Sequence, residues 1–213
     1  MYYPVFLNLK DQRCVVVGGG EVAGRKVAAL LDCAAAVTVV SDRLCDGLER
    51  LAGSGAITAV RRPYRTGDLA GARLVVAATD DRAANLRAAE DARAVGALVN
   101  VVDDPADSDF IAPSCLRRGP VTVAVSTGGL SPALARRIRE RLETEVGEEY
   151  AALARLVGEA RARLKDEEVL LTGEDWHDAL DLDRLLELLK RGATEPARAL
   201  LWDSLKKSVR GGS

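Results

Sequence analysis

The sequence predicts an α/β protein: a doubly wound parallel sheet, then a small β/α segment and a C-terminal helical region. Three observations predict it. Short apolar runs alternate with helical stripes up to about residue 102, the pattern of strand–helix–strand crossovers. A Gly18-Gly19-Gly20 turn lies between the first core strand and the first helix. After Asp104-Pro105 the alternation stops, and from about Glu148 the apolar pattern is helical throughout.

The elements follow in order. Residues 4–9 set Val5, Leu7 and Leu9 against Phe6 and Asn8, which predicts a short strand. Asp11-Gln12 turns the chain into the first core strand, 14–17. Val22, Ala23, Val27, Ala28, Leu30 and Leu31 then fall largely on one helical face. Strand 37–40 precedes a helix over 43–51, which Gly53-Ser54-Gly55 ends. Residues 57–60 and 74–78 are the third and fourth strands; the fourth is apolar throughout, as a strand covered on both faces should be. Thr79-Asp80-Asp81 opens a helix carrying Ala84, Leu86 and Ala89 up to Gly96, and 98–102 is the fifth strand.

Beyond the alternating region, 110–115 reads as extended, Arg117-Arg118-Gly119-Pro120 as a turn, and 121–125 as a strand pairing in a hairpin with the segment before it. Ser126-Thr127-Gly128-Gly129-Leu130 is a flexible loop. Ser131 caps the next helix, and Pro132 at its first position loses no needed N–H. That helix carries Leu134, Ile138 and Leu142 on one stripe, Arg137 and Arg141 on another. Tyr150, Leu153, Leu156 and Val157 mark one tail helix, Leu180, Leu185, Leu186 and Leu189 a second, and Leu200, Leu201 and Leu205 a third. Gly173 and Gly192 are expected to break between them, and Gly211-Gly212-Ser213 to lack order. The expected division is 1–112, 113–147 and 148–213.

Composition narrows the function. A 48% hydrophobic share supports a core, and 30 Lys+Arg against 32 Asp+Glu leave a net charge of -2, which points to neither nucleic acid nor membrane. The N-terminus reads as no signal peptide, so the cytoplasm is expected. None of the four cysteines forms a Cys-x-x-Cys pair, and free thiols in a reducing compartment are expected. With one histidine, His177, no resident zinc or iron site is expected. His177 and the nearby Trp176, with Trp202, read as packing or boundary residues.

The chemistry centres on the glycine turn. Gly18-x-Gly20-x-x-Ala23 is the dinucleotide-binding fingerprint of Rossmann-like folds. Gly18 permits the turn, Gly20 lets a pyrophosphate approach the main chain, and Ala23 lets the helix lie close to the strand. The helix-opening residues Glu21 and Val22 offer backbone N–H groups to phosphate. Asp42 stands 42 − 18 = 24 residues past the first glycine, placed to hold ribose hydroxyls, with Arg43 beside it blurring a preference for NAD over NADP. The alternative is a phosphate-free glycine turn in another α/β protein. Ligands of such sheets bind outside the carboxyl ends of the strands, where the turns at 18–20, 78–80 and 100–103 should converge. Thr79 would line the nucleotide path; capping by Asp80 or Asp81 is compatible with that. Asp103 is the candidate general base, or else part of an Asp-Pro turn. Arg117, Arg118, Arg136, Arg137, Arg139 and Arg141 crowd one short span, as a substrate with several carboxylates would need. For Arg139 and Arg141, pairing with Glu140, Glu143 and Glu145 is the preferred reading.

These pieces resemble a known family. VVVGGGEVAGRK, AATDD, NVVDD, DFIAPS and VAVSTGGLSPALAR, in this order over roughly residues 1–145, are similar to the bifunctional precorrin-2 dehydrogenase and sirohydrochlorin ferrochelatase at the front of sirohaem synthase. The resemblance implies that NAD accepts a hydride from precorrin-2, giving sirohydrochlorin, and that some members then insert ferrous iron as a substrate. It implies that Asp103 is catalytic and that the eight carboxylates of precorrin-2 give the arginine-rich region its reason, with Asn100, Ser114, Arg117, Thr127, Gly128 and Arg137 as the candidate substrate-binding residues and no carboxylate assigned to a particular arginine. It implies a homodimer exchanging the segment 110–142; an apolar hairpin outside the main sheet independently asks for a partner. No counterpart of the methyltransferase domain is seen, so methylation is expected of another protein. Dehydrogenation without chelation, and a NAD-sensing regulatory module, are the competing readings. The role of 148–213 stays open between covering the cleft and extending the dimer.

Overall fold

The computed structural model describes residues 2–211; the expectation for Gly212 and Ser213 lies outside them. The chain divides between Ala112 and Pro113 into two compact units.

The first unit holds a parallel sheet of β1 (Arg13–Val17), β2 (Ala36–Val40), β3 (Thr58–Val60), β4 (Leu74–Ala77) and β5 (Leu98–Val101), in the order β3-β2-β1-β4-β5. Its helices are α1 (Glu21–Leu31), α2 (Asp46–Gly53) and α3 (Arg82–Ala94). The period-two alternation of β1 feeds two cores. Cys14 and Val16 pack with Ala23, Val27 and Leu30 of α1 and Leu48 of α2. Val15 and Val17 pack with Ala88, Ala89 and Ala92 of α3. Burial on both faces is why these strands are apolar runs. Register is continuous across the centre, with Val17 opposite Ala77 and Ala77 opposite Val101. The turns that follow β1, β4 and β5 therefore leave the sheet at one edge, side by side.

One expectation fails here. Residues 4–9 form no strand: the segment has no regular secondary structure and pairs with no strand, with Tyr3, Val5 and Phe6 exposed and only Leu9 buried. The reason is topological. Gln12 N–H bonds back to Leu9 O at 2.9 Å in a tight turn, and β1 already has β2 and β4 on its two sides. A chain entering β1 through so short a turn has no free edge within reach.

The second unit opens with an antiparallel hairpin of β6 (Ser114–Arg118) and β7 (Val121–Val125), followed by α4 (Pro132–Glu145). Arg117 and Arg118 lie on β6, not in the turn. Arg118 pairs with Val121, so Gly119 (φ 53) and Pro120 alone make the connection. The tail forms α5 (Glu149–Asp166), α6 (Gly173–Ala179), α7 (Leu182–Lys190) and α8 (Thr194–Gly211) around a leucine-rich core. Gly173 opens α6 instead of breaking the chain. Thr172 accepts from Asp175 N–H while the Asp175 carboxylate accepts from Thr172 N–H, a reciprocal capping box. The expected second tail helix is thus two, since Asp181 caps α7 anew. Gly211 ends α8, against the expectation of no order there. Among the described residues no helix is long and apolar enough to cross a membrane.

Candidate functional site

The sheet order reverses between β1 and β4, which makes the crevice above them the place where such sheets take ligands. Three glycines shape it in different ways. Gly18 has φ 124, a conformation side chains resist, and a Cβ built on it would lie 2.3 Å from Ala78 O. It lets the loop rest on the turn after β4. Gly19 meets the other side: a Cβ there would lie 1.9 Å from Arg43 O and 2.7 Å from Ser41 Oγ. Its carbonyl also accepts from Cys45 N–H at 2.7 Å. Gly20 meets nothing within 4 Å, so open space lies over it. It is the N-cap of α1 and has no side chain to offer the helix's free N–H groups. An anion approaching Gly20 finds those N–H groups, including those of Glu21 and Val22, at the positive end of an eleven-residue helix. This cradle fits a dinucleotide pyrophosphate.

Asp42 and Arg43 are exposed on the bend after β2. Ser41 Oγ donates to Arg43 O at 2.7 Å, closing that bend, so the acid is carried by a turn fixed to the glycine loop. Thr79 sits beside Gly18 but is latched by the buried Asn85. Its hydroxyl donates to Asn85 Oδ1 at 2.7 Å, its N–H donates to the same oxygen at 3.1 Å, and its carbonyl accepts from Asn85 Nδ2 at 2.9 Å. Thr79 therefore offers the crevice its position more than a free hydroxyl. Asp81 caps α3, accepting from Ala83 and Ala84 N–H.

The turn after β5 separates two neighbouring acids. Asp104 stands 3.6 Å from Arg82 and accepts from Asp107 N–H, a turn-building role. Asp103 is exposed, with φ 59, and its carboxylate makes no hydrogen bond or ion pair among the described residues. Left-handed non-glycine backbone of this kind concentrates at functional sites. Asn100 is 8% exposed, and its amide donates to Phe110 O at 3.0 Å, so it holds the returning chain against β5. Ser108 reinforces this turn, accepting from Val101 N–H and donating to Asp104 O. Lys26 on α1 is half-buried. Burial pulls its pKa below the ordinary lysine value, the Asp103 carboxylate pushes it back up, and Arg25 adds to the downward pull.

The structure thus gathers Gly18, Gly20, Glu21, Val22, Asp42, Arg43, Thr79 and Asp103 on one rim, with Asn100 buried beneath it. Ser114, Arg117, Thr127, Gly128 and Arg137 belong to the second unit. Ser114 and Arg117 are on β6. Thr127 Oγ1 accepts from Ser131 N–H at 2.9 Å and ties the loop to the start of α4, and Gly128 has φ 65. Arg137 is exposed and pairs with Glu140 at 3.2 Å. Arg139 pairs with Glu140 and Glu143, as its sequence neighbours suggested. Sequence reasoning passed over Gly19, Lys26, Asn85 and Ser108. The extra glycine between Gly18 and Gly20 was itself a visible signal for Gly19; nothing local marks Asn85 or Ser108.

Comparisons with known proteins agree with this geometry. Residues 5–114 match the family described as "Putative NAD(P)-binding", and residues 118–145 match "Sirohaem biosynthesis protein central". The chain is 42% identical over 211 residues to a siroheme synthase of Methylococcus capsulatus, covering 98% of this chain and 44% of that one. It is 48% identical over 168 residues to a siroheme synthase of Nitrosospira multiformis, covering 77% and 36%. The chain therefore spans less than half the length of these curated relatives. Among solved structures it is similar to "SirC, precorrin-2 dehydrogenase", with a TM-score of 0.68 and 26% identity, over 97% of this chain and 100% of that one.

Proposed function

Since the chain belongs to the putative NAD(P)-binding family and carries a sirohaem-biosynthesis central segment behind it, we propose that it oxidises precorrin-2 to sirohydrochlorin with NAD. The observation that carries the reading is the single rim on which the open glycine cradle and an unpartnered, left-handed Asp103 stand together. Bound NAD supplies the acceptor for the hydride that leaves a substrate C–H bond. The residues do the rest. Gly20 and the first N–H groups of α1 hold the pyrophosphate, and Asp42 accepts from the ribose hydroxyls. Asp103, as a carboxylate, takes the proton that the macrocycle gives up as the hydride departs. A free, exposed carboxylate can do this; Asp104, engaged with Arg82, is the wrong one of the pair.

The polycarboxylate substrate gives Ser114, Arg117, Thr127, Gly128 and Arg137 their role, as forked and backbone donors to its acid groups. The chain works as a homodimer through residues 113–147. A lone two-stranded hairpin is marginal, and α4 with its preceding loop leaves Leu130, Leu134 and Ile138 uncovered at 91%, 52% and 39% exposure. Four free cysteines suit a reducing cytoplasm.

The test is anaerobic. Protein, NAD and precorrin-2 are mixed and NADH absorbance is followed; no NADH above the protein-free rate removes the reading. Ferrous iron is then added and the sirohaem spectrum watched. NADH without faster metal insertion assigns this chain the dehydrogenase step alone. Light scattering of Ile138→Glu tests the dimer, which should fall to a monomer.

A further inference from the structure

We propose that Glu140 is a positioning residue for substrate, drawing Arg136 and Arg137 of α4 together into one receptor for a carboxylate of the tetrapyrrole; this rests on the proposed function and adds Arg136 to the residues that hold acid groups. Consecutive helix residues point about 100° apart, so the two guanidiniums would by themselves diverge. Glu140 lies four residues past one and three past the other, the two spacings that share a helix face. Each arginine takes its own oxygen of that carboxylate. Arg136 Nε donates to Oε1 at 3.0 Å, and Arg137 Nη1 donates to Oε2 at 3.2 Å. The Arg136 hydrogen bond, with that of Arg137 behind it, holds the Glu140 carboxyl below its ordinary pKa against the opposing pull of burial. The anchor is therefore an anion at neutral pH.

The pair reaches outward. The side chains of Arg136 and Arg137 are 74% and 82% exposed, against 31% for Glu140. Neither arginine makes a further hydrogen bond or ion pair among the described residues. Arg136 thus keeps both Nη groups for a ligand, and Arg137 keeps Nε and Nη2. Such forked donors match a carboxylate. Arg139 is the contrast: it is 20% exposed and spans Glu140 and Glu143, a brace within the helix.

Charge points the same way. Three guanidiniums against two carboxylates leave one positive charge in this cluster, which one substrate carboxylate neutralises. Stability accounts for little of the arrangement, because exposed ion pairs add little to a fold and arginine ahead of glutamate is the less favourable order on a helix.

The experiment varies precorrin-2 in the NADH assay for the parent, Glu140→Gln, Arg136→Gln, the double variant and Glu143→Gln, each with an NAD titration and a thermal melt. Glu140→Gln should raise the KM for precorrin-2 by about five- to tenfold, with kcat, NAD affinity and Tm close to the parent's. Arg136→Gln should do the same, and the double variant little more, because both disable one receptor. Glu143→Gln makes the same change of charge on the same helix and should leave KM unchanged or lower. The sign is decisive: a glutamate acting only as a negative charge repels an anionic substrate, so its removal would lower KM. A KM for Glu140→Gln at or below the parent's overturns the proposal, as do effects that add fully in the double variant, or an equal rise in Glu143→Gln. A fall in kcat with KM unmoved overturns it too. Should Glu140→Gln melt early, Arg136→Gln with the parent's KM overturns the proposal by itself. A parent that forms no NADH removes the reading of the substrate and this inference with it. Normal turnover by the parent beside an unmoved Glu140→Gln sinks Glu140 alone.

Discussion

Gly19→Ala separates a cradle that is held in place from one that merely happens to be open. The backbone of Gly19 lies outside the left-handed region, so alanine can adopt it; the obstacle is steric. The new Cβ would stand 1.9 Å from Arg43 O, and ordinary contact begins near 3.4 Å, so the turn after β2 must retreat by about 1.5 Å. That motion also strains the Cys45 N–H bond to Gly19 O, now 2.7 Å. Overpacking costs about 1–3 kcal/mol and a lost hydrogen bond about 0.5–1.5 kcal/mol, so roughly 2 kcal/mol is expected after the turn relaxes. For a unit of this size that lowers Tm by about 8 °C. The same retreat carries Asp42 away from the ribose it is proposed to hold. A hydrogen bond to a charged group is worth about 1.5–3 kcal/mol, so the Kd for NAD should rise by roughly ten- to a hundredfold. Thermal melts and a fluorescence titration with NADH read the two effects. Gly20→Ala is the companion: its Cβ meets no protein atom within 4 Å, so Tm should hold while affinity falls. Gly19→Ala melting within about 1 °C of the parent and binding NAD within about twofold would refute the reasoning.

Asp103→Gly should raise stability by up to about 1 kcal/mol, because glycine relieves the left-handed backbone, while dehydrogenation is lost; a fall in Tm in denaturation scans would contradict the strain. Asn85→Leu leaves the N–H and carbonyl of Thr79 without their partner and should cost about 1–3 kcal/mol in urea unfolding, with weaker NAD binding; an unchanged midpoint counts against the latch. Arg62 grips Asp68 through two bonds of 2.8 and 2.6 Å and holds that carboxyl below its usual pKa. A depressed carboxyl stabilises the fold above its unfolded pKa and ceases to as pH falls through the folded one. The Tm gap between the parent and Asp68→Asn should therefore be full at neutral pH and close below about pH 4; a gap that persists in acid refutes the pairing.

What the sequence revealed followed from which forces are local. Apolar runs and the glycine spacing located β1, α1, β4 and β5 to within a residue or two, because burial on both faces leaves little else for Val15 to Val17 or Leu74 to Ala77 to be. Ser131 and Pro132 announced α4 by capping chemistry alone. The misplacements came from non-local terms. Val5, Leu7 and Leu9 alternate like a strand, but a strand needs an edge, and edge availability is decided by β2 and β4. Arg117 and Arg118 looked like turn residues, yet hairpin register is fixed by the Gly119-Pro120 connection, which leaves both arginines on β6. Thr172 and Asp175 carried a readable capping box that the neighbouring glycine masked. At the candidate site, the position of Asp103 in the turn after β5 was legible from the apolar run before it. Asn85 was not, since only the fold of the turn after β4 brings it to Thr79.

The bend from Ser41 to Cys45 is bolted to the glycine loop through main-chain atoms, with one serine hydroxyl as its brace. Selection can therefore rewrite positions 42 and 43 without disturbing the bolt. If the acid holds the ribose as proposed, trading it for a second cation would favour a phosphorylated ribose on an unaltered frame.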